Sequence, residues 1–526
     1  MRFTKKYKLL LLMAVVTSLF TVSAQNQNLT NINKLRTAEY FINEFYVDSI
    51  DEGKLVEDAI RGMISELDPH SQYTNAAETK ELQEPLEGSF VGVGIQFTMQ
   101  KDTLYIVQTI VGGPAEKVGL VAGDRIIEVN DTIIAGVQMT NTDIMKRLRG
   151  VKGTAANVKV KRAGVKDVID FKIIRDKIPL YSIDAAYMLD DNIGYIKISR
   201  FANDTYSEFM ESVKKLKKAG MKQLIIDLTN NGGGYMGTAI SISNEFLNRG
   251  ENIVYTQGNK SPRYDANANG RGALKDIKLA IMVNEYSASA SEIVSGAIQD
   301  WDRGVIVGRR TFGKGLVQRP YIFDDGSMLR LTTARYYTPS GRSIQKPYEK
   351  GGKDDYNKDI YERMNHGELT SADSAQVMAD SLAYHTLKLG RKIYGGGGIT
   401  PDIFVPIDTT EYSDYYRNLF AKSILNQYSI SYVDKNRDAL KATYPTVDDF
   451  IANFTVTDDI IAEVVTMATE TEIEPNEEEL TKSINRVKSS LKALIASDIY
   501  TNEAFYQVLN LDSDIVKAAI TALKEK

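Results

Sequence analysis

Two short stretches of this chain carry residue types that do chemistry together. In Leu279–Gln318 an apolar run ends at Asn284, and Ser287-Ala288-Ser289-Ala290-Ser291-Glu292 follows before a helix-like segment. Serine caps helices, so at least one of the three is expected to do only that. A serine exposed at such a turn also sits beside helix N-terminal N–H groups, which can stabilise an oxyanion. Downstream, Thr311-Phe312-Gly313-Lys314-Gly315 pins a lysine between glycines, with Phe312 and Leu316 just outside. A lysine withdrawn from water favours its neutral form and can take a serine proton near neutral pH. Gln318 is placed to orient that amine. A third turn, Asp227-Leu228-Thr229-Asn230-Asn231-Gly232-Gly233-Gly234, can present backbone N–H groups to an anion.

The same stretch contains a decoy. Gly308, then Gly313-Lys314-Gly315, nearly matches a phosphate-binding loop. Glycine at 315 removes the hydroxyl such a loop offers to magnesium. The residues after it, through Pro320 to Phe323, read as extended chain where that loop would open a helix.

Those turns need a scaffold. Strand-like runs at Ile193–Ile198, Gln223–Leu228, Leu279–Val283 and Val305–Val307 alternate with helix-like segments at Thr205–Ala219, Met236–Asn248 and Ser291–Asp300. This alternation predicts a mostly parallel or mixed sheet covered by helices. Residues 346–376 are polar and read as an insertion. Residues 25–85 and 409–526 show helical periodicity, clearest in Leu480, Ile484, Val487, Leu491 and Leu494. Between them, residues 86–176 break into short strand candidates around Gly112-Gly113-Pro114-Ala115-Glu116-Lys117-Val118-Gly119-Leu120.

That last segment resembles a PDZ domain, through Phe90-Val91-Gly92-Val93-Gly94 and the GPAEKVGLVAGDRIIEVN motif. The resemblance implies that Gly92, Val93 and Gly94 form the loop that holds a peptide's terminal carboxylate. Glycines permit the close backbone approach this requires. Taken together and in this order, the motifs SASASEI and TFGKGLVQ with an embedded PDZ segment resemble the carboxy-terminal processing proteases, from about Ala59 to Asp408. By that resemblance Ser289 is the nucleophile, Lys314 the general base and Gln318 the residue that positions it. The amides of Ala290 and of Gly233 or Gly234 are the oxyanion donors. Glu292, Asp300 and Thr311 match supporting positions, Asp300 in a structural role. Arg149 would couple peptide capture to the active site. The implied fold class is α/β, a crotonase-like peptidase core over 177–408 with an inserted PDZ domain and helical terminal regions. The implied activity is serine endopeptidase cleavage near protein C-termini, on protein substrates with accessible apolar tails and with no cofactor. The alternative is a non-catalytic PDZ scaffold or a carrier of apolar ligands on the same core. The long polar insertion and the helical tail depart from the family pattern.

Composition sets the remaining expectations. The chain has 526 residues, a net charge of -5, no cysteine and three histidines. Several domains are expected. The charge argues against nucleic-acid binding. Disulfides, thiolate metal sites and a cysteine nucleophile are excluded. Arg2, Lys5, Lys6 and Lys8 precede an apolar run from Leu9 to Val22, and Val22-Ser23-Ala24 offers a cleavage site, so residues 1–24 read as a signal peptide. The run is shorter than the roughly 20 residues a spanning helix needs. The expected product is exported to the periplasm or cell envelope and soluble, with oligomerisation through the terminal helices as a further expectation.

Overall fold

A computed structural model describes residues 30–100, 102–375 and 380–525. The expected signal segment lies outside them, as does the last residue of the polar insertion. The chain divides into two units, one ending at Leu67 and the other spanning Asp68–Lys526. The first consists of helices at 30–45 and Glu52–Ser65, the second started by Asp51, whose carboxylate accepts from the Lys54 amide.

In the second unit the central sheet has six strands. Ile183–Met188 runs antiparallel to Ile193–Ile198. Gln223–Asp227, Lys278–Val283, Val305–Gly308 and Ile403–Phe404 then follow in parallel. These strands read as nearly unbroken apolar runs because both faces are covered. Helices Thr205–Lys218, Met236–Asn244 and Ala290–Asp300 bury Phe209, Ile242, Val294 and Ile298 with Ile196, Ile226, Ile281 and Ile306 on one face. On the other face helix Asp514–Glu525 packs Val516, Ala519 and Leu523 onto Tyr195, Ile225, Ala280 and Val307. The loops that leave three parallel strands, 228–234, 284–289 and 309–315, share the carboxyl edge of the sheet. This is where open α/β sheets place their ligands.

A second, antiparallel sheet runs alongside. Its long strand Met328–Tyr337 pairs with Leu316–Ile322, with Asn252–Gln257 and with Gln72–Thr74. Sequence periodicity did not indicate Met328–Tyr337, whose ten positions are mostly half-buried and show no clean alternation. The residues after Lys314 are extended, as expected from Pro320.

Residues 95–174 form an antiparallel sheet with helix Asn141–Leu148 against it, around Val93, Leu104, Ile106, Ile126, Val158 and Ile173. Strands Ser89–Gly92 and Asp176–Pro179 pair where the chain enters and leaves this module. Six helices between Asp414 and Leu509 enclose their own core of Leu419, Val433, Phe450, Val487 and Leu491. The stripe from Leu480 to Leu494 faces this core. Among the described residues no helix is long and apolar enough to cross a membrane.

Candidate active site

The three serines of the 287–291 turn have different partners. Ser287 and Ser291 are fully buried, and their hydroxyls donate to the Leu228 and Asn231 carbonyls at 2.8 and 2.9 Å. Those two serines join the 284–291 turn to the 228–231 turn. Ser289 is half-buried, and its hydroxyl meets the phenol of Tyr336. It holds φ 56° and ψ -110°, a backbone conformation that residues with a Cβ rarely adopt. Helix Ala290–Asp300 begins at the next residue, and the Ala290 amide has no partner among the described residues.

Glu292 organises the centre. It is fully buried. One carboxylate oxygen accepts from Thr311 Oγ1 at 2.6 Å and the Gly313 amide at 2.7 Å. The other accepts from the Ser289 amide at 2.8 Å and the Lys314 amide at 2.9 Å. Thr311 Oγ1 itself accepts from the Ile399 amide, so its proton must point at Glu292. Four donors and no acceptor surround this carboxyl, an environment made for the ionised form. Burial pushes its pKa above the ordinary glutamate range, against the pull of those donors. Through this one side chain the backbone beside Ser289 and the backbone of Lys314 are held together.

Lys314 is largely sequestered, and its amine has no hydrogen-bond or ion-pair partner among the described residues. Burial first, and the Arg330 charge second, lower its pKa to about 8. The Gly313–Gly315 bracket is required sterically. Gly313 has φ +87°, and a Cβ there would press on Gly397, Gly398 and Lys346. Tyr336 is buried beside this loop, and its hydroxyl donates to the Lys314 carbonyl.

Gln318 was expected at the lysine amine. Instead its amide donates to Thr332 Oγ1 at 3.3 Å and does not engage Lys314. A register shift between Val317 and Gln318 accompanies this orientation. The Gly233 amide, one of the two expected oxyanion donors, donates to Asn231 Oδ1 at 2.9 Å, whereas the Gly234 amide has no partner among the described residues. Gly233 packs so closely that a Cβ would lie 2.7 Å from Ser289 Cβ. Asp300 ends the helix that Ser289 caps, roughly 16 Å away for 11 residues. There it is fully buried, paired with Arg342 at 2.7 Å and accepting from the Ser340 amide.

Sequence reasoning missed several neighbours. Asp68 accepts from the His70 and Ser71 amides, the Ser71 hydroxyl and Thr332 Oγ1. Burial, with the Lys314 charge next, drives His70 down to about 4, so its imidazole is neutral at pH 7. His70 Nε2 lies 2.9 Å from the Tyr356 hydroxyl. Tyr356 belongs to helix Lys353–Asn365 of the polar insertion, which also sends Arg363 to the carbonyls of Arg310 and Thr311. The insertion therefore packs against the lysine loop. No local pattern marks these residues, because they come from distant parts of the chain. Among the described residues no group of acidic and histidine side chains is arranged to hold a metal.

In the 86–176 module, Phe90, Gly92, Val93, Gly94, Ile95, Phe97, Met145, Leu148 and Arg149 line a groove of about 400 Å³ between strand Ile95–Gln100 and helix Asn141–Leu148. Arg149 lies over the Phe90 ring and donates to Glu84 at 2.5 Å, on helix Ala76–Glu87.

Residues 192–357 match peptidase family S41, residues 91–173 a PDZ domain and residues 13–79 the N-terminal domain of the activating protease CtpB. The carboxy-terminal-processing protease of Bartonella bacilliformis is 38% identical over 335 residues, covering 62% of this chain and 75% of that protein. The chain belongs to peptidase family S41. A "Probable CtpA-like serine protease" of Staphylococcus aureus is 34% identical over 367 residues, 69% of this S41 chain and 72% of that one. A solved structure, the photosystem II D1 C-terminal processing protease, aligns at 25% identity and a TM-score of 0.37, over 72% of this chain and 87% of that one. Residues 415–501 match a family of unknown function. The fold is thus an S41 peptidase with a PDZ domain, within the C-terminal processing serine proteases.

Proposed function

We propose that this chain is an exported serine endopeptidase that cuts proteins near their C-termini, with Ser289 as nucleophile and Lys314 as base. The observation that carries the reading is the Glu292 carboxylate, which bonds the amides of both Ser289 and Lys314. Ser287 and Ser291 are committed to backbone carbonyls, which leaves Ser289 for chemistry. Its Oγ attacks the scissile carbonyl and gives its proton to the neutral Lys314 amine. The amides of Ala290 and Gly234 hold the oxyanion. Lys314 then returns the proton to the departing amine, leaving an ester on Ser289. Water attacks this ester, losing a proton to Lys314, which passes it to the serine as the ester breaks. Gln318 serves the amine only after releasing Thr332, so the arrangement described is a resting one on a crotonase-like core. The apolar groove with Gly92, Val93 and Gly94 takes the substrate's tail as an added strand.

The test uses an unfolded protein with an apolar tail. Ser289→Ala and Lys314→Ala are each expected to abolish cleavage, and full turnover by either variant refutes the assignment. The base acts only when uncharged, so kcat should rise with pH through about 8, where the amine loses its proton. A rate flat between pH 6 and 9 argues against Lys314 as the base.

A further inference from the structure

Arg330 lies near the start of strand Met328–Tyr337, two residues before Thr332. Alternation along a strand puts both side chains on one face. Thr332 shows where that face points, since its hydroxyl meets Gln318 and Asp68. The cross-strand neighbours of Arg330 are Pro320 and Gln72, so no carboxylate stands opposite it.

The guanidinium makes no hydrogen bond or ion pair among the described residues, and its Nε is sealed from solvent with no acceptor. Arg330 is half-buried, and two more deeply buried arginines are fully supplied. Arg342 bonds Asp300, Gln299 and the Tyr394 carbonyl, and Arg363 bonds Glu368 and two carbonyls. Asp68, the acidic group on the adjoining turn, already has its donors. Strand register puts Arg330 on the face that meets Asp68 and Gln318 through Thr332, and its charge is felt at both Lys314 and His70. Buried polar groups are satisfied as a rule, and a half-buried guanidinium with a sealed, unpaired Nε and no carboxylate opposite it is placed to take an incoming anion. The planar fork of arginine matches a carboxylate best.

We infer that Arg330 is a carboxylate-binding residue of the active-site cleft, pairing with a carboxylate that the substrate brings beside the bond to be cut. The inference rests on the peptidase reading above. Beside Lys314 the Arg330 charge also offsets the incoming negative charge, which unpaired would favour the protonated amine more strongly. The carboxylate is either the free end of the segment being removed or an Asp or Glu side chain near the scissile bond.

Two pairs of peptides distinguish these sources in the full-length enzyme. One pair differs only in a free or amidated C-terminus. The other is amidated throughout and carries Glu or Gln at each of the positions flanking the bond in turn. Wild type is expected to favour the carboxylate member of one pair by about tenfold or more in kcat/KM. In Arg330→Gln that ratio should fall to about one, with Arg330→Lys in between. Each ratio compares two substrates on one enzyme, so altered folding or lysine basicity divides out. The PDZ groove is intact in every enzyme, so a free-acid preference that survives in Arg330→Gln belongs to the groove and overturns the inference. Absence of any preference in wild type overturns it as well. Failure of wild type to cleave any peptide overturns the peptidase reading and the inference together.

Discussion

Glu292 is the residue on which the active-site geometry turns. Its four bonds come from three backbone amides and one hydroxyl whose lone pair is already taken. Glu292→Gln puts an NH2 group where an oxygen accepts two of those protons. Stability is expected to fall by about 2–3 kcal/mol, the cost of orphaned interior donors. Cleavage should drop by roughly two orders of magnitude as the Ser289 and Lys314 segments part. Denaturant titration and kcat/KM measure the two effects, and a variant with wild-type turnover would remove Glu292 from the mechanism. Ser289 and Lys314 stand out in the sequence because each is framed by its immediate neighbours, small residues on one side and glycines on the other. Asp68, His70, Tyr336 and Arg330 do not. Their nearness to Lys314 is created by the pairing of Gln72–Thr74, Leu316–Ile322 and Met328–Tyr337, a long-range register that local patterns cannot convey.

At the scale of elements, the polar insertion is tied down by its own charges. Polar composition marks it only as an insertion, yet Lys346 bonds Asp359, Arg363 bonds Glu368, and Tyr356 fits between Phe312 and His70. The parallel strands and their covering helices were legible because burial on both faces leaves plain apolar runs. The C-terminal helices hold a different kind of interior group. Asp498, in helix Glu477–Ile499, accepts from Ser429 at 3.0 Å, and burial pushes its carboxyl up to about 6. The folded pKa exceeds the unfolded one, so this carboxyl contributes stability that is fully present below about pH 4 and lost as pH rises through about 6. A shift of about two units corresponds to at most about 3 kcal/mol. Asp498→Asn keeps an acceptor for Ser429 without the charge. It is expected to be more stable than wild type at pH 8 and to differ little near pH 4. Thermal melts at the two pH values check this, and an equal change at both would assign the effect to packing.

For the molecule as a whole, the groove along Ile95–Gln100 and the turn that carries Ser289 lie in different modules. Arg149 of the groove bonds Glu84 of helix Ala76–Glu87, a helix whose chain leads back to Gln72–Thr74 and Asp68 beside the lysine. If this pair carries the signal of an occupied groove, Arg149→Met and Glu84→Gln should each slow cleavage of a tailed protein about three- to tenfold. The double variant should be no slower than either one, as for groups acting as a unit. Affinity for a free tail peptide, measured by titration, separates coupling from capture, and additive losses would dissolve the link. Helix Asp514–Glu525 adds a consequence in time. It supplies one wall of the core beneath the 284–289 and 309–315 loops, packing Val516 and Leu523 under strands that include Lys278–Val283 and Val305–Gly308. A ribosome that has already made both Ser289 and Lys314 has yet to make that wall. The nascent chain therefore carries Ser289 and Lys314 through synthesis on an unfinished scaffold.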